Sequence, residues 1–114
     1  MESELLDKFI GIQHEELNCY DLVRQIYIML GIRLPKAMHK ISDYFCATET
    51  IDTFDIITFK VVPRFISHLG VYIGRDKFLH STPKNGVTCE RLSLWKDKIH
   101  GVYRYERNNI NKGI

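Results

Sequence analysis

Three residues of this chain could together break an amide or ester bond: Cys19, His68 and His80. Cys19 lies in the segment 18–23, where an amphipathic helix is expected to begin. A thiol at a helix N-terminus is held as the nucleophilic thiolate by the helix dipole and by a nearby imidazolium. An imidazole on a strand is a suitable base, and a polar side chain on the next strand can hold it in the right tautomer. In this order along the chain, the three side chains are the parts that a cysteine hydrolase needs.

The two histidines are expected to approach each other across a β-hairpin. Residues 68–73 and 77–80 are predicted strands, joined by a turn over residues 74–76. Side chains alternate along a strand, so His68, Gly70 and Tyr72 share one face. The opposite face is assigned to the core and carries Leu69, Val71 and Ile73. Because glycine has no side chain, Gly70 should leave His68 open to a substrate while His80 approaches from the next strand.

The elements that must position these side chains are helices first and strands afterwards. Asn18 is a good N-cap, and apolar residues then recur at helical spacing until Gly31 stops the helix. A short helix is expected at 5–10, one or two helical turns within 37–50, further strands at 56–62, 87–92 and 102–105, and a helical turn at 95–99. We therefore expect one α+β domain over residues 1–106, with N-terminal helices packed on an antiparallel sheet of about five strands, and a flexible tail at 107–114.

The composition argues against several classes of function. The net charge is only +2 and the basic residues are spread along the chain, which is not the pattern of a nucleic-acid binder. The apolar stretches are too short to span a bilayer. The acidic N-terminus lacks the basic region of a signal peptide, so synthesis in the cytoplasm without a secretion signal is expected.

The cysteine content argues against a disulfide framework and against a finger-type zinc site. The chain has three cysteines, an odd number, and no close pair. Cys46 and Cys89 are interpreted as buried small hydrophobic residues, the commonest state of a free thiol. No cofactor and no metal are expected.

Four segments of the chain carry a resemblance to a known family. They are Asn18-Cys19-Tyr20-Asp21-Leu22-Val23, Gly31-Ile32-Arg33-Leu34-Pro35, Asp55-Ile56-Ile57-Thr58-Phe59, and the hairpin of residues 67–74 and 77–81. Together they resemble the NlpC-type family of papain-like cell-wall cysteine peptidases, and the downstream residues resemble its short members encoded with phage tail genes.

That resemblance implies a papain-like fold and hydrolysis of an amide bond, usually in the stem peptide of peptidoglycan next to D-glutamate. It implies that Cys19 is the nucleophile, that His68 is the general base and acid, and that His80 orients His68. The backbone N–H of Cys19 would be the first donor to the oxyanion.

Two departures from the family pattern affect the substrate groove. The family usually has Gly-x-Pro-Tyr and a Gly-Gly loop before its cysteine, whereas this chain has a shorter segment in which Gln13 or His14 could serve as the polar donor. The Ser-Gly that usually follows the cysteine is replaced by Tyr20-Asp21.

Three interpretations of function follow. The first is an endopeptidase that cleaves peptidoglycan stem peptides, delivered to the cell wall by a phage tail or another secretion machine or carried as a virion component. The second is a papain-like amidase or acyltransferase with a different substrate. The third is a non-enzymatic module for tail assembly, which the presence of Cys19, His68 and His80 together argues against.

Overall fold

A computed structural model of the chain describes residues 6–38, 40–61 and 68–106. Its α-helix α1 spans Cys19–Met29, and three short 3₁₀ helices span Asp7–Phe9, Ile41–Asp43 and Leu92–Lys98. The strands are β1 (Phe45–Thr48), β2 (Ile56–Phe59), β3 (His68–Gly74), β4 (Lys77–Thr82), β5 (Gly86–Arg91) and β6 (Ile99–Tyr105). The tail predicted at 107–114 lies outside the described residues.

All of these strands join one antiparallel sheet in the order β1-β6-β2-β3-β4-β5. The sheet has six strands rather than about five. The additional strand is β1, which lies within the segment 37–50 where the sequence predicts helical turns. The predicted α+β arrangement, a helix packed on an antiparallel sheet, is confirmed.

Helix α1 begins and ends where the sequence predicts. The Asn18 side chain accepts a hydrogen bond of 2.9 Å from the Asp21 N–H, and this capping satisfies one of the free donors of the first turn. Gly31 follows the helix with a φ of +81°, a left-handed conformation that glycine adopts without strain. The buried face of α1, formed by Leu22, Val23, Ile26 and Tyr27, packs against β3 and β4.

The sheet buries side chains on both faces, and this corrects one expectation. The face of Gly70 was expected to be open, but a second apolar cluster covers it, formed by Ile57, Phe59, Phe78 and Leu92 with Trp95 packed against them. Gly70 is buried, and a Cβ there would lie 2.8 Å from the Phe78 ring. The glycine therefore makes room for Phe78 rather than for a substrate.

In the N-terminal half of the chain, the first helix lies within the predicted range: Leu6 is helical, and the 3₁₀ helix Asp7–Phe9 follows it, with Phe9 buried. Residue 5 lies outside the described residues. Within 37–50, the expected helical turns are the short 3₁₀ helix Ile41–Asp43, and β1 follows it after one residue.

Among the described residues, no helix is long and apolar enough to cross a membrane.

Candidate active site

The thiol of Cys19 lies at the first residue of α1 and is half-buried. Asn18 is still extended and the helix begins at Cys19. The N–H groups of the first turn therefore have no partner within the helix and point out of its N-terminus, toward any group near the thiol. The positive end of the helix dipole stabilises negative charge at this position. The cysteine is thus at the helix start, where the sequence predicts it.

The segment before α1 is attached to the strands that carry the histidines. The Ser81 hydroxyl donates a hydrogen bond of 2.5 Å to the carbonyl of Leu17, two residues before Cys19. Farther back, the Gly11 N–H donates to the Val87 carbonyl and the Val87 N–H donates to the Ile12 carbonyl, each over 2.9 Å. These bonds hold the beginning of α1 at the end of β4 where His80 lies.

The two histidines meet as the hairpin pattern predicts. His68 is the first residue of β3, and His80 on β4 is paired in register with Gly70. The distance between Nε2 of His68 and Nδ1 of His80 is 2.7 Å, which is a hydrogen bond. Nδ1 of His68 is therefore the ring nitrogen left available to a thiol.

Two further residues, neither of them predicted as part of a site from the sequence, complete this cluster. The Glu90 carboxylate on β5 accepts a hydrogen bond from Nε2 of His80, and the Trp95 indole N–H donates to its other oxygen over 3.2 Å. His80 is fully buried, and its ring lies 5.0 Å from that of Trp95. The ring of His68 stacks on Trp95 at 6.4 Å, so the aromatic cluster fixes both imidazoles.

Glu90 could have been found only from the pairing of β4 with β5. The prediction placed a strand at 87–92, and alternation along it puts Thr88 and Glu90 on one face. Only the register, in which His80 pairs with Thr88 and Phe78 with Glu90, brings that face beside the histidines.

The protonation states of the cluster follow from burial and from its charges. The pKa of His68 is lowered to about 4, first by burial and then by the charges of His80 and His14, with Glu90 acting in the opposite direction. Burial also lowers the pKa of His80, outweighing the attraction of Glu90. Burial alone would raise the pKa of Glu90, but its hydrogen bonds from His80 and Trp95 bring it below the ordinary value. At neutral pH the cluster therefore holds two neutral imidazoles and one carboxylate.

The two accessory candidates differ in their position. His14 is half-buried, and its charge influences the pKa of His68, so it lies near the site. Gln13 is exposed, and its carbonyl accepts hydrogen bonds from the N–H groups of Glu16 and Leu17. Among the described residues, no hydrogen bond joins Gln13 to the histidines, and none joins Cys19 to His68.

Cys46 and Cys89 are exposed, which shows that their predicted burial was wrong. The physical reason is their position in the sheet: Cys46 lies on β1 and Cys89 on β5, the two edge strands. Among the described residues, no group of three or more His, Cys, Asp or Glu side chains could hold a metal ion.

Comparison with known proteins shows which family the chain is part of. The model of the NlpC/P60 family matches residues 8–104, which include Cys19, both histidines and Glu90. The chain belongs to the NlpC/P60 family. The resemblance to NlpC-type peptidases seen in the sequence is thereby confirmed.

Two proteins that are similar to this chain in sequence have names that describe hydrolases. The gamma-DL-glutamyl hydrolase of Bacillus subtilis is 28% identical over 120 residues, which cover 93% of this chain and 29% of that protein. A probable endopeptidase of Haemophilus influenzae is 28% identical over 101 residues, which cover 82% of this chain and 62% of that protein. The chain thus spans less than two thirds of either relative.

A solved structure has the same fold as this chain. An NlpC/P60 family protein from Bacillus cereus superposes with a TM-score of 0.74 at 21% identity, over 91% of this chain and 39% of that one. The papain-like fold of this NlpC/P60 domain is therefore established.

Proposed function

We propose that this NlpC/P60 domain is a cysteine endopeptidase that hydrolyses an amide bond in peptidoglycan stem peptides, next to D-glutamate. The observation that carries the proposal is the 2.7 Å contact between His68 and His80 on β3 and β4, the two strands on which the helix that begins at Cys19 packs. The bond is proposed from the relatives, one of which is named a gamma-DL-glutamyl hydrolase and the other a probable endopeptidase.

In the acylation step, Cys19 is the nucleophile and His68 the base. Nδ1 of His68 takes the thiol proton, and the thiolate attacks the carbonyl carbon of the scissile amide. The tetrahedral oxyanion is stabilised by the backbone N–H of Cys19, with His14 or Gln13 as a proposed second donor. The C–N bond then breaks as the imidazolium gives its proton to the leaving amine, and a thioester remains on Cys19.

In the deacylation step, His68 acts as a base a second time. It takes a proton from a water molecule that attacks the thioester carbonyl, and the acid product leaves as the C–S bond breaks. The proton on His68 returns to the thiolate, which restores the starting state. His80 keeps the ring of His68 in one orientation through both steps.

A different amide or ester substrate is the second candidate, and Tyr20 is the observation that favours it. Its hydroxyl donates a hydrogen bond of 2.5 Å to the Pro35 carbonyl, so a large side chain is fixed beside Cys19 where the family usually has serine. A substrate groove shaped by tyrosine instead of serine would favour an amide or acyl group other than a stem peptide.

Digestion of purified muropeptides followed by mass spectrometry tests the proposal and separates the two candidates. We expect a cut next to D-glutamate, and its complete loss in Cys19→Ser and Cys19→Ala with the fold retained. The matched controls are Cys46→Ser and Cys89→Ser, which should keep full activity and change stability by no more than about 0.5 kcal/mol, because both side chains are exposed.

Other results of the digest would contradict parts of the proposal. A cut at another bond would refute the D-glutamate assignment. An active Cys19→Ser protein would refute the assignment of the nucleophile, and the absence of any cut by the wild-type protein would refute the peptidoglycan substrate.

A further inference from the structure

Within the described part of the chain, Glu90 is the one carboxylate that contacts the histidine pair. It has no role in the proposed acylation and deacylation steps. One of its oxygens accepts from Nε2 of His80 and the other from the indole N–H of Trp95. The Thr88 hydroxyl lies 3.5 Å from the oxygen that faces His80. Glu90 is thus an acceptor with both oxygens in use.

The acceptor character of Glu90 determines which nitrogen of His80 carries the proton. An ionised carboxylate can only accept, so Nε2 of His80 must be the donor. A neutral imidazole has one N–H, and Nδ1 of His80 is then an acceptor. The neutral state of this buried ring follows from the lowering of its pKa by burial.

The same reasoning passes to His68 through the 2.7 Å contact. Because Nδ1 of His80 accepts, Nε2 of His68 must supply the hydrogen between the two rings. A neutral His68 with its proton on Nε2 has a lone pair on Nδ1. That is the tautomer that can take a proton from the thiol of Cys19.

We propose that Glu90 is a positioning residue that fixes the direction of the hydrogen bonds through His80, so that Nδ1 of His68 is the base. The inference rests on the proposed function, in which His68 activates Cys19. No proton moves to Glu90, because the thiol proton stops on Nδ1 of His68. The N–H bonds at Nε2 of His68 and Nε2 of His80 stay intact. We call the hydrogen-bonded chain of His68, His80 and Glu90 the relay.

Glu90 also supports the charged state of His68. After proton transfer the imidazolium carries N–H on both nitrogens, and its Nε2–H still needs an acceptor. Nδ1 of His80 provides one only while Nε2 of His80 donates to Glu90. The negative charge of Glu90 also acts to raise the pKa of His68, which favours the imidazolium.

Trp95 makes this arrangement testable, because the indole N–H can only donate. In Glu90→Gln, the amide oxygen should turn to Trp95 and its NH₂ group to Nε2 of His80. His80 would then carry its proton on Nδ1 and donate to His68, so that Nδ1 of His68 is protonated in the neutral state. Removing the indole donor in Glu90→Gln/Trp95→Phe lets the amide rotate and offer its oxygen to His80 again.

The experiment measures tautomers and thiol reactivity. Nitrogen-15 NMR of the histidine rings at pH 7 should show the proton on Nε2 of both residues in the wild type. In Glu90→Gln the pattern should reverse, and alkylation of Cys19 by iodoacetamide should slow by about 10- to 100-fold, as when a hydrogen-bond partner behind a metal-ligating histidine is removed. The double variant should be faster than Glu90→Gln. Glu49→Gln, the same change at an exposed position beyond β1, should match the wild type.

Several results would overturn the proposal. They are a wild-type spectrum with the proton on Nδ1 of His68, an unchanged pattern and alkylation rate in Glu90→Gln, or a double variant no faster than the single one. These measurements need no peptidoglycan, so a wrong substrate assignment would appear in the muropeptide digest and leave them unaffected.

Discussion

His68 and His80 have different tasks in the proposed mechanism, and their substitutions should therefore differ in severity. His68 both takes the thiol proton and later protonates the leaving amine, so His68→Ala should be nearly as damaging as the loss of Cys19, because members of one catalytic unit are not additive. His80 takes no proton itself; it orients His68 and accepts the hydrogen on Nε2 of His68 through the 2.7 Å hydrogen bond. We expect His80→Gln and His80→Asn to retain a measurable kcat, and His80→Ala to fall between them and His68→Ala.

Steady-state kinetics on a defined muropeptide would check this order. The burial of His80 makes a folding control necessary, so unfolding curves of each variant should accompany the rates. If His80→Ala were as inactive as His68→Ala while remaining folded, His80 would do more than orient its neighbour.

At the scale of single residues, the sequence was sufficient where chemistry and local spacing coincide. Cys19, His68 and His80 were placed from a helix start and a hairpin, both of which depend on neighbours in the chain. Glu90 and Trp95 reach the site only through the sheet register and the packing of the following 3₁₀ helix. Such long-range contacts leave no periodic signal in the sequence.

Among the elements, the strongly patterned ones were predictable and the short ones were not. Helix α1 has an N-cap, an apolar stripe and a terminating glycine, and its bounds were predicted closely. Strand β1 spans only Phe45–Thr48 and has one fully buried residue, so it lacks an alternating pattern long enough to recognise. Its partner β6 supplies the pairing that defines it, and that information lies more than fifty residues away.

Gly86 connects the strand that carries Glu90 to the segment that leads to Cys19, and its substitution should be costly. Its φ is +67°, and a Cβ there would lie 2.3 Å from the carbonyl oxygen of Ile12. Gly86→Ala should lower the free energy of unfolding by about 2–4 kcal/mol, from backbone strain together with this overlap. Urea denaturation followed by circular dichroism would measure the loss.

Gly31 provides the matched control for that experiment. It also has a positive φ, of +81°, but nothing lies within 4 Å of the position of its Cβ. Gly31→Ala should therefore cost only the backbone term, about 1 kcal/mol. Equal losses in the two variants would mean that the overlap of the new Cβ with the Ile12 carbonyl adds nothing to the cost of backbone strain.

For the molecule as a whole, the proposed relay is a property of the sheet. Its members lie on the three adjacent strands β3, β4 and β5, and each hydrogen bond crosses from one strand to the next. A shift of one residue in either pairing would turn the side chains to the opposite face and separate them. The fold thus positions the Glu90 carboxylate, the two imidazoles and the start of α1 by backbone pairing rather than by a flexible loop.

Burial of this relay should make the stability of the domain depend on pH. The pKa of His68 is about 4 in the folded protein and near 6.5 when the chain is unfolded, so between these values the unfolded state binds more protons. The stabilisation is fully present above pH 6.5 and is lost as the pH falls toward 4. Between pH 7.5 and pH 5, we expect His68 to account for a loss of about 1–2 kcal/mol.

Urea unfolding of the wild type and of His68→Gln at both pH values would test this dependence. Glutamine does not titrate, so the variant should lose less stability on acidification, whatever its stability at pH 7.5. His80, whose pKa burial also lowers, titrates in both proteins and should contribute a loss that is common to both. Equal losses in the two proteins would show that His68 titrates alike in the folded and unfolded states, which would contradict its burial against Trp95 and Phe59.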